Sequence, residues 1–167
     1  MILSSDAETL WGAATGLARA VAEVSRDPGR PALLFFTDPV RTPEPWRTAA
    51  ALPPGAAVVY RAFGAAGARD TAERLRRVTA ERGVRLLIGL DAELASAVGA
   101  DGVHLPERLL ERAADLRQRH PRWQITGAVH SASALAGAGT LSAAVLSPVF
   151  LAGGASAARP ALGVTAF

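Results

Sequence analysis

Cysteine and lysine are missing from this 167-residue chain, and each absence removes a class of chemistry. Without cysteine there is no disulfide framework, no thiolate metal ligand and no thiol nucleophile. Without lysine there is no Schiff base and no ammonium to meet a phosphate, so all 18 basic residues are arginines. Aromatics are scarce, at 5% of residues, and there are only three histidines. No apolar run approaches the length of a membrane span, and the first residues, Met1 to Asp6, carry no basic leader. A cytoplasmic location is the default expectation.

Half of the residues are hydrophobic and a fifth are charged, the balance of a globular chain with one substantial core. The isoelectric point of 10.8 reflects the all-arginine composition. Net charge is a mild +3, and the arginines alternate with acids, as in Glu73-Arg74-Leu75-Arg76-Arg77. That is the pattern of solvated helix faces, not of a one-sided nucleic-acid patch.

Apolar positions Leu10, Ala14, Leu17, Val21 and Val24 recur at helical spacing, predicting a helix over 9–25 that stops before Asp27-Pro28-Gly29. Residues 1–30 are assigned to this helix, packed on a domain formed by 31–167. Within that domain, short continuous apolar runs predict strands at 32–36, 57–61, 84–88, 103–105, 124–129 and 143–146. Runs of this kind mark strands buried on both faces, as in parallel sheets. Helices are predicted at 70–82, 92–98, 107–119 and 131–138. The alternation implies right-handed βαβ crossovers, and the fold class is α/β with a parallel sheet. Residues 151–161, rich in small side chains, predict one long loop.

Ligands of parallel α/β folds bind at the carboxyl ends of the strands. Those ends supply Thr37-Asp38, Arg61, Gly89, His104, His130-Ser131 and Ser147-Pro148. A small-molecule site there is the first functional expectation. Arg61 ends an otherwise apolar strand, so its charge needs a partner, and a ligand phosphate is a natural one. His104 is expected to hold a neighbouring side chain or water. Asp38 is expected to cap a turn or line the pocket, Asp101 to make the turn before the fourth strand, and Ser131 to cap the following helix.

The stretches "LLFFTDP" (33–39), "GADGVHLPE" (99–107), "ITGAVHS" (125–131), "VLSPVF" (145–150) and "ALG" (161–163) occur in this order. Together they resemble the thiamine phosphate synthase/TenI-type thiazole tautomerase family over residues 32–163. The resemblance implies a (β/α)8 TIM barrel, of which this sequence supplies about six βα units. It further implies a thiazole phosphate or thiamine phosphate as ligand, and Mg²⁺ only where synthase activity is retained. Family synthases place Gln, Arg and Lys on strand 2, and here Val59, Arg61 and Phe63 stand at those positions. Their Asn-Asp pair after strand 3 corresponds to Gly89-Leu90, and the later Asp falls near Leu109. Only Asp91 or Glu107, each displaced by a position, could substitute as metal carboxylates.

The tautomerase branch needs a proton-transfer group in place of the diphosphate machinery, and its histidine corresponds to His130. Pro106 suits that branch too. The resemblance therefore implies His130 as catalytic residue, with Arg61, His104, Asp38, Ser131 and Ser147 binding substrate or phosphate, and no metal site. A non-catalytic phosphate-ligand binder or regulator is the alternative. Six strands would leave two open sheet edges. The expectation is that the sequence is a fragment, or that a second copy of the chain covers the edges.

Overall fold

A computed structural model describes residues 5–24, 30–151 and 160–163. The predicted helix stop at Asp27-Pro28-Gly29 and residues 152–159 of the predicted long loop lie outside them. Six strands, β1 (Leu34–Phe36), β2 (Ala57–Tyr60), β3 (Arg85–Gly89), β4 (Gly102–Leu105), β5 (Gln124–Val129) and β6 (Ala143–Leu146), form one sheet. They lie in sequence order, and every neighbouring pair is parallel. The sheet curls into part of a barrel, the open version of the expected (β/α)8 fold. Helices α1 (Ser5–Val24), α2 (Pro45–Ala51), α3 (Ala68–Arg82), α4 (Ala92–Ala97), α5 (Arg112–Arg119) and α6 (Ala132–Ala136) complete it.

Side chains of a strand alternate between faces, and here both faces are covered. Val58, Tyr60, Leu86, Ile88, Val103, Leu105 and Ile125 point outward, where they join Ala72, Leu75, Ala95, Ala113 and Leu116 of the helices in one buried core. The alternate residues Ala57, Val59, Leu87, His104 and Thr126 are buried on the concave face. Local chemistry sets the helix ends. Gly83 closes α3 in a left-handed conformation at φ 62°, and the Asp91 carboxylate caps α4 by accepting from Leu94 N at 2.8 Å.

Four features depart from the sequence reading. Helix α2 was not foreseen, because Pro43-Glu44-Pro45 reads as a loop and the alanines that follow carry no apolar stripe. The continuous helix expected over 107–119 is broken into a 3₁₀ turn, Glu107–Leu109, and α5. The Leu110 side chain at the break packs over Gly127, where an added Cβ would stand 2.4 Å from Leu110 Cδ2. Asp101 does more than turn the chain: its Oδ2 accepts from Arg76 Nη1 at 2.6 Å and from Leu86 N at 2.8 Å, pinning α3 to β3. On α1, Leu10 and Leu17 of the predicted stripe are exposed, at 56% and 68%.

Gly102 begins β4 against the backbone of β5. A Cβ there would lie 1.9 Å from the Gln124 carbonyl oxygen, and a ladder carbonyl cannot swing aside as a side-chain end can. Gly102→Ala is expected to lower unfolding stability by at least about 2 kcal/mol, read as the shift of a urea midpoint at unchanged slope.

Candidate functional site

The parallel register carries the C-terminal ends of all six strands to one edge, where six of the residues singled out above are found. Arg61 follows β2. Its Nε donates to the Thr37 carbonyl at 2.7 Å, its backbone N–H donates to Thr37 Oγ1 at 2.9 Å, and its Nη2 lies 3.8 Å from Asp38 Oδ2. The guanidinium also stands over the Phe36 and Phe63 rings, at 5.8 and 5.2 Å from their centroids. It is thus oriented from several sides yet stays a third exposed, the condition of a cation that can receive an oxyanion.

Asp38 both caps and lines. Its Oδ1 accepts from Val40 N and Arg41 N at 3.0 Å each, and these amides hold its carboxyl below the ordinary value, with smaller help from the Arg41 and Arg61 charges. Ser131 accepts from Ala134 N at 3.1 Å and caps α6, as its position predicted, so its hydroxyl serves the helix.

His104 lies on the concave face of β4, 8% exposed, with Nδ1 2.9 Å from Thr126 Oγ1 and its ring edge-on to Phe36. Burial, and next the nearby Arg61 charge, lower its pKa to about 4. The imidazole is neutral at physiological pH and holds a neighbouring side chain, as expected.

His130 directly follows β5 and faces the end of β6. Its Nδ1 is 2.6 Å from the Ser147 carbonyl oxygen. A carbonyl only accepts, so Nδ1 carries a proton and, in the neutral ring, Nε2 holds the lone pair. Ser147 meets His130 through its backbone carbonyl. The His130 backbone N–H donates to Glu107 Oε2 at 2.5 Å, tying the segment after β4 to the end of β5. Sequence reasoning considered Glu107 only as a displaced metal ligand. Its reach to His130 crosses two strand ends and has no signature in either.

The carboxylates here do not fit a Mg²⁺ site. Asp91, Glu107 and Asp38 are each turned to backbone amides. Among the described residues no three His, Cys, Asp or Glu side chains group as metal ligands. Phe63 and Leu90, at the positions where the resemblance expects Lys and Asp, are exposed and have positive φ, 48° and 70°. Such backbone in non-glycine residues costs on the order of 1–3 kcal/mol and clusters at functional sites.

A family model described as thiamine monophosphate synthase matches residues 35–165. The chain belongs to the thiamine phosphate synthase/TenI family. Thiamine phosphate pyrophosphorylase from Pyrococcus furiosus is similar in fold, with a TM-score of 0.59 and 23% identity, over 71% of this chain and 60% of that one. This chain thus spans about 60% of the length of that relative. Orotidine 5'-monophosphate decarboxylase from Sulfolobus solfataricus aligns over 71% of this chain and 63% of its own, with a TM-score of 0.46 and 10% identity, too distant to bear on the site. No curated protein matches the chain. Among the described residues no helix of the family member is long and apolar enough to cross a membrane.

The low pKa of His104 makes stability depend on pH. The unfolded chain protonates this histidine near 6.5 and the folded chain only near 4, so between these values the unfolded state binds more protons. The contribution is fully present above pH 6.5 and is lost as pH falls to 4, about 3 kcal/mol over the window. Urea unfolding from pH 7 to 4 is expected to show a steeper loss in wild type than in His104→Asn. Parallel curves would contradict it.

Proposed function

We propose that the strand-end face binds a thiazole phosphate of the thiamine pathway and isomerises it by proton transfer, a tautomerase-type reaction rather than a Mg²⁺-dependent condensation. The observation that carries this reading is the His130 ring, held by Nδ1–H on the Ser147 carbonyl at the mouth of the site. In that tautomer Nε2 has the lone pair that accepts a proton. Arg61, fixed by Thr37 and Asp38, is the phosphate partner in this reading.

The chemistry balances within the ligand. Nε2 takes a proton from the ring carbon that becomes aromatic, the electron pair shifts through the conjugated system, and the imidazolium returns the proton at the far end. Throughout, Nδ1–H stays on Ser147, so the ring does not turn between the two transfers. Glu107 fixes the His130 backbone, which keeps Nε2 in register with the ligand. The apolar Phe63 and Leu90 suit a heterocycle better than a diphosphate. A cytoplasmic protein acting on a small phosphate-bearing ligand follows from the same reading.

The test is turnover of the thiazole phosphate carboxylate tautomer by the purified chain. His130→Asn is expected to reduce turnover by about 10²-fold or more with ligand affinity nearly intact. Arg61→Ala is expected to weaken ligand binding by roughly 1.5–3 kcal/mol. Wild-type turnover in His130→Asn, or robust Mg²⁺-dependent thiamine phosphate formation, would contradict the reading. Tight binding with no turnover would favour a non-catalytic binder.

A further inference from the structure

A cavity bounded by described residues lies not at this face but at the opposite, N-terminal end of the strands. It measures about 620 Å³, a volume typical of small-ligand sites, and its wall includes Arg85, Asp101, Arg117, Arg122, Trp123 and Gln124. Three of these are cations and one is an anion. The anion is already matched, since the Asp101 carboxylate sits 2.6 Å from Arg76 Nη1. None of Arg85, Arg117 and Arg122 has an acidic partner within ion-pair distance among the described residues.

Their roles differ. Arg117 is a fixed part of the wall: Nη1 donates to the Trp123 carbonyl at 2.5 Å and Nη2 to Ser142 Oγ at 2.7 Å. Arg85 points from the first residue of β3 into the concave face, and its Nη1 is buried without any acceptor. A guanidinium N–H withdrawn from water and left unpaired is costly, and an oxyanion is the group that satisfies it best. Arg122 is exposed at the rim beside Trp123, whose indole stacks on His120 at 3.6 Å between centroids. One cation lies deep, one is fixed in the wall and one is free at the mouth.

We infer that this N-terminal cavity is a second ligand site, one that takes a small organic oxyanion, a phosphate or carboxylate, through Arg85 and Arg122. It is separate from the strand-end face and does not depend on the activity proposed there.

The experiment uses the whole chain carrying Arg61→Ala, which removes the phosphate partner of the other face. Inorganic phosphate, and in a second arm acetate, is titrated at constant ionic strength, following the Trp123 indole N–H by NMR, with calorimetry in parallel. Saturable binding of one anion per chain that shifts the Trp123 signal is expected, with a higher Tm in the presence of the preferred anion. The stronger arm identifies phosphate or carboxylate. Arg85→Met is expected to weaken binding at least about tenfold and to abolish the anion-dependent rise in Tm. Should Arg85→Met not fold, Arg122→Ser at the exposed rim decides: weakened binding supports the site, and unchanged binding overturns it. Absence of a saturable shift at tens of millimolar of either anion, or unchanged affinity in Arg85→Met, would also overturn it.

Discussion

Everything in this molecule that can do chemistry is placed by a single constraint, the burial of a parallel sheet on both faces. Within the strands, β2 and β4 are buried at every position, so polar side chains are confined to the strand ends or to positions with a partner. Because all six strands run the same way, those ends gather at two edges. The carboxyl edge collects Arg61, His130 and the Ser147 carbonyl, and the amino edge collects Arg85, Asp101 and Gln124.

One such partnered pair shows the cost of a polar side chain inside the sheet. His104 stands mid-sheet, accommodated by Thr126 from the neighbouring strand and by the Phe36 ring, and it gives up its charge to remain there. A neutral His104 adds no second cation beside the Arg61 guanidinium, which lies 3.8 Å from the Asp38 carboxylate. The same logic separates the two histidines of the motif-bearing strands: one is buried and neutral, the other lies at a strand end on a carbonyl that fixes its tautomer.

Much of this was legible in the sequence. The six strands follow from continuous apolar runs, and their bounds differ from the readings by a residue or two, because burial on both faces leaves an unmistakable composition. Arg61, His104 and His130 stood out for a related reason: each is a polar residue in or beside such a run. What stayed hidden depends on contacts between segments distant in sequence. The Glu107 carboxylate reaching the His130 amide, the Leu110 side chain packed over Gly127, and Asp101 bridging Arg76 and Leu86 all join different βα units. Helix α2 was hidden differently, since its alanines carry no periodic signal. The basic cavity could not be read at all, because Arg85, Arg117 and Arg122 each look like an ordinary surface arginine until the curl of the sheet brings them together.

Proton transfer at the carboxyl edge depends on which nitrogen of His130 holds the proton when the ring is neutral. Long-range ¹H–¹⁵N NMR of the imidazole reads this directly in the unliganded protein, with His130→Asn assigning the signals. A neutral ring protonated at Nδ1, with Nε2 showing the shift of an unprotonated nitrogen, is the result the geometry predicts. A ring protonated at Nε2 would mean that the Ser147 carbonyl does not hold His130, and the proton-transfer role would fall with it.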